Sequence, residues 1–138
     1  MKMARWTFVA ATLLLLLVSS MASTRSAAPG PTRLLRQPDI QGDRIVFVYA
    51  GDLWTAPSTG GTATRLTAHP GLELMARFSP DGTQIAFTTD SPCWIPPTGG
   101  GATCATVKGG GLTWSPDGKQ IVFARWDNTN PGLFIANA

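Results

Sequence analysis

The chain has 138 residues, room for one modest domain, and only 14% of them are charged. Gly and Pro are plentiful and spread along the sequence, which suits short strands joined by turns and argues against long helices. The net charge is +3, but Lys2 and Arg5 lie in a segment expected to be removed, and the remaining nine basic side chains nearly balance eight acidic ones. No basic cluster points to nucleic acid.

Residues 1–22 have a basic start, an apolar stretch from Phe8 to Val18 and small residues after it, the three parts of a secretory signal peptide. Ser20 and Ala22 suit the cleavage positions and place the cut after Ala22; a cut after Ala28 would set Pro29 beside the scissile bond. The apolar stretch falls short of the roughly 20 residues of a spanning helix, so export is expected and no membrane association after cleavage. The product is then periplasmic or extracellular. Residues 23–32 are small, polar and rich in Pro and Gly, and read as a flexible lead-in.

From residue 33 the sequence repeats. FSPDGTQIAF at 78–87 returns as WSPDGKQIVF at 114–123. Trp54, Trp94 and Phe134 are 40 residues apart, and Gly60-Gly61 recurs as Gly100-Gly101. IVF at 45–47, IAF at 85–87 and IVF at 121–123 follow at intervals of 40 and 36, and a longer loop later in the third unit restores the period. A period of about 40 residues parsed as four short strands is the pattern of a β-propeller blade. The expected fold is all-β: a partial propeller of nearly three four-stranded blades, about 33–67, 73–107 and 110–138. The strands are placed at 33–40, 44–49, 52–57 and 62–67; at 73–79, 83–89, 93–97 and 102–107; and at 110–115, 119–125 and 131–137. IVFVYA is apolar on both faces, as a strand between neighbouring sheets should be. Rings close with about four to eight blades, so this reads as an incomplete ring within a longer chain, with open edges and little stability of its own.

Ser79, Pro80, Asp81 and Gly82 form a turn instruction, repeated by Ser115, Pro116, Asp117 and Gly118. Pro presets φ, Asp accepts nearby amides and Gly takes positive φ. The two Asp residues are therefore read as turn formers, not as metal ligands or acids. Cys93 and Cys104 flank a Gly-rich turn; they either pair as a disulfide across a hairpin or fill strand positions as small apolar side chains.

His69 is the single histidine, in the loop TAHPGLE, and no Ser lies in a G-x-S-x-G elbow. One His and two Cys make no zinc site, and no phosphate loop or dinucleotide fingerprint occurs. No catalytic residue, metal or cofactor is expected. Trp54, Trp94 and Trp114 recur on strands and are read as core; Trp126, beside Asp127 and Asn128, is expected in a loop and exposed.

Residues 34–89, with the runs Tyr49-Ala50-Gly51-Asp52-Leu53-Trp54 and Leu66-Thr67-Ala68-His69-Pro70-Gly71, resemble the start of the mature part of bacterial tricorn-protease homologues. The SPDG repeat also resembles the propellers of the periplasmic TolB protein and of some exported peptidases and amidohydrolases. The tricorn resemblance implies a non-catalytic propeller that guides or filters peptide substrates toward a separate serine-protease domain, whose residues have no counterpart here. The alternatives are a TolB-like module binding other envelope proteins, and the propeller of an exported amidohydrolase or prolyl-oligopeptidase-like enzyme. Expected partners are the rest of the propeller or parent chain, and peptides or envelope proteins.

Overall fold

A computed structural model describes residues 35–127 and 130–138. The signal and lead-in segments expected at 1–22 and 23–32 lie outside the described residues. Eleven strands follow in order: β1 Arg36–Gln41, β2 Arg44–Tyr49, β3 Asp52–Pro57, β4 Thr64–Arg65, β5 Leu74–Phe78, β6 Ile85–Thr88, β7 Pro92–Ile95, β8 Thr103–Cys104, β9 Gly109–Trp114, β10 Gln120–Arg125 and β11 Gly132–Asn137. They form three antiparallel sheets ordered β1-β2-β3-β4, β5-β6-β7-β8 and β11-β10-β9. This is the partial propeller anticipated from the repeat, as an open stack of three blades. The outermost strands β4 and β8 are shorter than the spacing suggested, two residues each. Both follow a glycine-rich turn and pair on one side only, which supports little regular ladder.

The blades pack face to face because their middle strands are apolar on both sides. Val46, Val48 and Leu53 of blade 1 meet Ala76, Phe78, Ile85, Phe87, Cys93 and Ile95 of blade 2, all buried. Ala86 and Trp94 on the opposite face of blade 2 join Leu112, Ile121, Phe123 and Phe134 of blade 3. Each fully buried aliphatic or aromatic side chain contributes about 1.5–3 kcal/mol, and these two seams hold most of them.

Strand register corrects one equivalence drawn from spacing. Trp54 lies opposite Phe47, Cys93 opposite Phe87 and Phe134 opposite Phe123. Cys93, not Trp94, therefore occupies the slot of Trp54 and Phe134. Trp94 pairs with Ala86 and faces the other way. The cause is the connection between the second and third strands: Ala50-Gly51 in blade 1, but Thr89-Asp90-Ser91 in blade 2. One extra loop residue with one fewer pair reverses the face of every residue that follows. Trp114 belongs to an inner strand, a third kind of position.

The first strand of each blade carries the same irregularity. Gln37, Met75 and Gly111 each have φ between +50 and +63°, and each lies three residues before the position held by Ile40, Phe78 and Trp114. The register of β1 and of β5 breaks there, a bulge that bends the strand where neighbouring blades converge.

Candidate functional site

Strands β1, β5 and β9 lie side by side at the inner margin of the three blades and are tied by side chains that cross from one blade to the next. Gln37 Oε1 accepts the Met75 amide at 2.7 Å, and Asp39 Oδ2 accepts the Phe78 amide at 2.8 Å. Gln41 Nε2 donates to the Pro80 carbonyl at 2.7 Å, and the Trp114 indole donates to the Arg77 carbonyl at 3.0 Å. The Met75 amide lies at the β5 bulge, so its bond satisfies a donor outside the regular ladder. The guanidinium groups of Arg36 and Arg77 are exposed on this margin and form no ion pair among the described residues.

At the end of the blades opposite the SPDG turns, the loop from Leu66 to Glu73 carries blade 1 into blade 2. Glu73 is 2% exposed. Its Oε2 accepts the Leu53 amide at 3.0 Å and the Thr67 hydroxyl, while its own amide donates to the Gly51 carbonyl at 2.9 Å. Asp52 beside it is buried, pairs with Arg65 at 2.7 Å and accepts the His69 amide at 3.3 Å. Burial raises the pKa of Glu73, opposed by the Thr67 and Leu53 hydrogen bonds and reinforced by the Asp52 charge. Sequence reading passed over Glu73 and Thr67, because the contacts that give them meaning join positions 6 and 20 residues apart. The DLW run was the available signal.

His69 is exposed, as expected for a loop residue, and its Nδ1 accepts the Gly71 amide at 3.0 Å. Ser79 and Asp81 are joined at 2.6 Å, as are Ser115 and Asp117. Asp81 Oδ1 also accepts the Thr83 amide at 3.0 Å, and Asp117 Oδ1 the Lys119 amide at 3.1 Å. Gly82 and Gly118 close the turns at φ of +73 and +71°. Both carboxyl groups are held below the usual range, first by the Ser hydroxyl and then by the following amide. Pro80 and Pro116 sit exposed at the second turn position. The two turns lie in successive blades, and their carboxylates bond within their own turns.

Cys93 and Cys104 are cross-strand partners on β7 and β8 and are joined by a disulfide. Trp126 is 56% exposed. Among the described residues no group of three or more His, Cys, Asp or Glu side chains could hold a metal ion. None of their helices is long and apolar enough to cross a membrane.

Antiparallel blades, two of four strands and one of three, stacked about a shared inner margin and each entered through an SPDG hairpin or its equivalent, define a β-propeller of the repeat-blade class. The profile described as "Tricorn protease N-terminal beta propeller domain" matches residues 32–132, and the chain belongs to that family. Tricorn protease homolog 1 of Streptomyces coelicolor is 30% identical over 115 residues, covering 77% of this chain and 10% of that protein. Tricorn protease of Thermoplasma acidophilum is 45% identical over 54 residues, 39% of this chain and 5% of that protein. This chain thus spans a tenth or less of these two curated relatives. The crystal structure of the tricorn protease superposes with a TM-score of 0.54 at 29% identity, covering 66% of this chain and 11% of that one. TolB from Acinetobacter baumannii gives 0.64 at 22% identity, covering 77% and 31%, a likeness of fold.

Proposed function

We propose that this chain is a non-catalytic propeller segment of an exported tricorn-like serine peptidase, where it guides or filters peptide substrates. The observation that carries the reading is the inner margin of a tricorn-family propeller. There three strands converge and the exposed Arg36 and Arg77 side chains stand beside strand edges that an extended peptide can follow. The Asp residues of the SPDG turns are engaged in turn bonding, which leaves them a structural role.

Purified full chain, mixed with a fluorescein-labelled peptide library, is expected to raise fluorescence anisotropy without cleaving any peptide. Cleavage by pure material, or no binding across the library, overturns the reading. Export is tested separately by fractionating cells that express the chain with a C-terminal tag. The expected mature N-terminus is Ser23, outside the cytoplasm.

A TolB-like role in binding envelope proteins is the second reading. Leu133 and Ile135, apolar and exposed on the outer face of blade 3, offer a surface that either a further blade or an envelope protein could cover. Capture of a folded envelope protein, with no binding of short peptides, would select it.

A further inference from the structure

Beside the inner margin, between blades 1 and 2, lies a cavity of about 180 Å³ lined by Val48, Ala50, Gly51, Leu72 and Leu74, with Arg36 among its walls. Its walls are held in place by the neighbouring latch: Glu73, next in sequence to both Leu72 and Leu74, is bonded to Gly51 and Leu53. Leu72 is 69% exposed yet lies over the Gly51 backbone, where a Cβ would come within 3.3 Å of its Cδ2.

The corresponding gap between blades 2 and 3 is closed. There Gly110 stands where blade 2 has Leu74, and a Cβ on it would fall 2.7 Å from Thr88 Cγ2 and 2.4 Å from Trp126 Cη2. The connection into blade 3 is also shorter, by four residues between matched hairpins. The open cleft therefore comes from the TAHPGLE loop and not from the repeat itself.

We propose that this cleft binds one bulky apolar side chain of an extended peptide, with an acidic side chain next to it pairing with Arg36. The inference rests on the peptide-guiding reading above and gives it a specificity. Apolar cavities of about 150 Å³ accept a benzene ring, so this volume suits one aromatic or branched side chain. Arg36 is exposed and has no carboxylate partner among the described residues, so the wall offers an uncompensated positive charge. β1 is the edge strand of its sheet, and an extended segment can lie along that edge from the cleft toward Gln41. A flanking Asp or Glu supplies the carboxylate, and a terminal carboxylate is the alternative that the test separates.

The test uses the full 138-residue chain and fluorescein-labelled Gly-Ser-Phe-Glu-Gly-Ser-amide, followed by anisotropy. Replacing the peptide's Phe by Ser, or Leu72→Asp in the protein, is expected to weaken binding about tenfold, as removal of a buried apolar side chain does. Replacing the peptide's Glu by Gln, or Arg36→Gln in the protein, is expected to weaken it about two- to fivefold, an effect that fades at high salt. Both protein positions are exposed, and unchanged thermal unfolding of the variants shows that the fold is kept. If the wild-type chain binds the peptide but neither variant matters, the cleft assignment is overturned while peptide guidance stands. If only Gly-Ser-Phe with a free terminal carboxylate binds, the internal-residue proposal is overturned. If no peptide binds at all, the functional reading falls and the cleft with it.

Discussion

The Glu73 carboxylate, carried at the entrance to blade 2, accepts the backbone amide of Leu53 in blade 1 at 3.0 Å. One side chain thus joins the third strand of one blade to the loop that enters the next, with Thr67 as the third member. A buried carboxylate in this place trades desolvation against the amide and hydroxyl it satisfies. Glu73→Ala leaves the Thr67 hydroxyl without its acceptor and the Leu53 amide with Thr67 Oγ1 alone, and should cost about 1–3 kcal/mol in a urea melt. Glu73→Gln keeps an acceptor and should cost less. The pKa of Glu73 is raised above 4.5, so the folded state holds its proton over a range in which the unfolded chain has released it. That contribution is fully present below pH 4.5 and is lost as pH rises through the folded value. Wild type should therefore gain stability relative to Glu73→Gln on acidification from neutrality toward pH 4.5. A gap between the two that does not change with pH would refute the assignment.

The SPDG turns carry the opposite sign. Asp81 and Asp117 have pKa values lowered from 3.8, so their contribution is complete above that value and is lost as pH falls through the folded one. Asp81→Asn should be less stable than wild type at neutral pH, and the difference should close on acidification below 3.8. Gly82→Ala tests the turn without touching charge. With φ at +73° and Gln41 Cγ 3.1 Å from the added Cβ, it should cost about 1–2 kcal/mol in denaturant unfolding.

The repeat made the architecture legible because turn chemistry is local. Pro80, Asp81 and Gly82 prescribe their hairpin within five residues, and the apolar triplets mark the middle strands by themselves. The junctions were not legible in that way. Whether Trp94 faces blade 1 or blade 3 depends on the length of one loop, and a 40-residue spacing conceals a register that slips by one. The Glu73 latch joins residues whose only relation is spatial. The left-handed positions at Gln37 and Met75 carry no glycine to announce them, and only Gly111 of the three does.

Cys93 fills the slot that holds Trp54 and Phe134 in the other blades, and a bond to Cys104 accompanies the smaller side chain. This fastens the two-residue strand β8, which has few ladder bonds of its own. Reduction with dithiothreitol, or Cys93→Ala with Cys104→Ala, should destabilise the chain by about 2–3 kcal/mol for a loop of this length. Hydrogen exchange should rise first at residues 103–105. Equal melting of oxidised and reduced protein would show that β8 needs no such fastening.

Blade 3 turns Leu133 and Ile135 outward at 80% and 63% exposure, whereas Leu53, which matches Leu133 by register, is fully buried against blade 2. Since register makes the two positions equivalent, the exposed pair has the character of a blade-to-blade seam without its second side. Exposed apolar strands of this kind associate. Leu133→Lys combined with Ile135→Lys should shift the chain toward monomer in sedimentation velocity and lower the binding of a hydrophobic dye. The melting temperature should stay the same or rise, because in the monomer neither side chain is buried. A fall of several degrees would mean that the pair packs within the chain, and the seam reading would then fail.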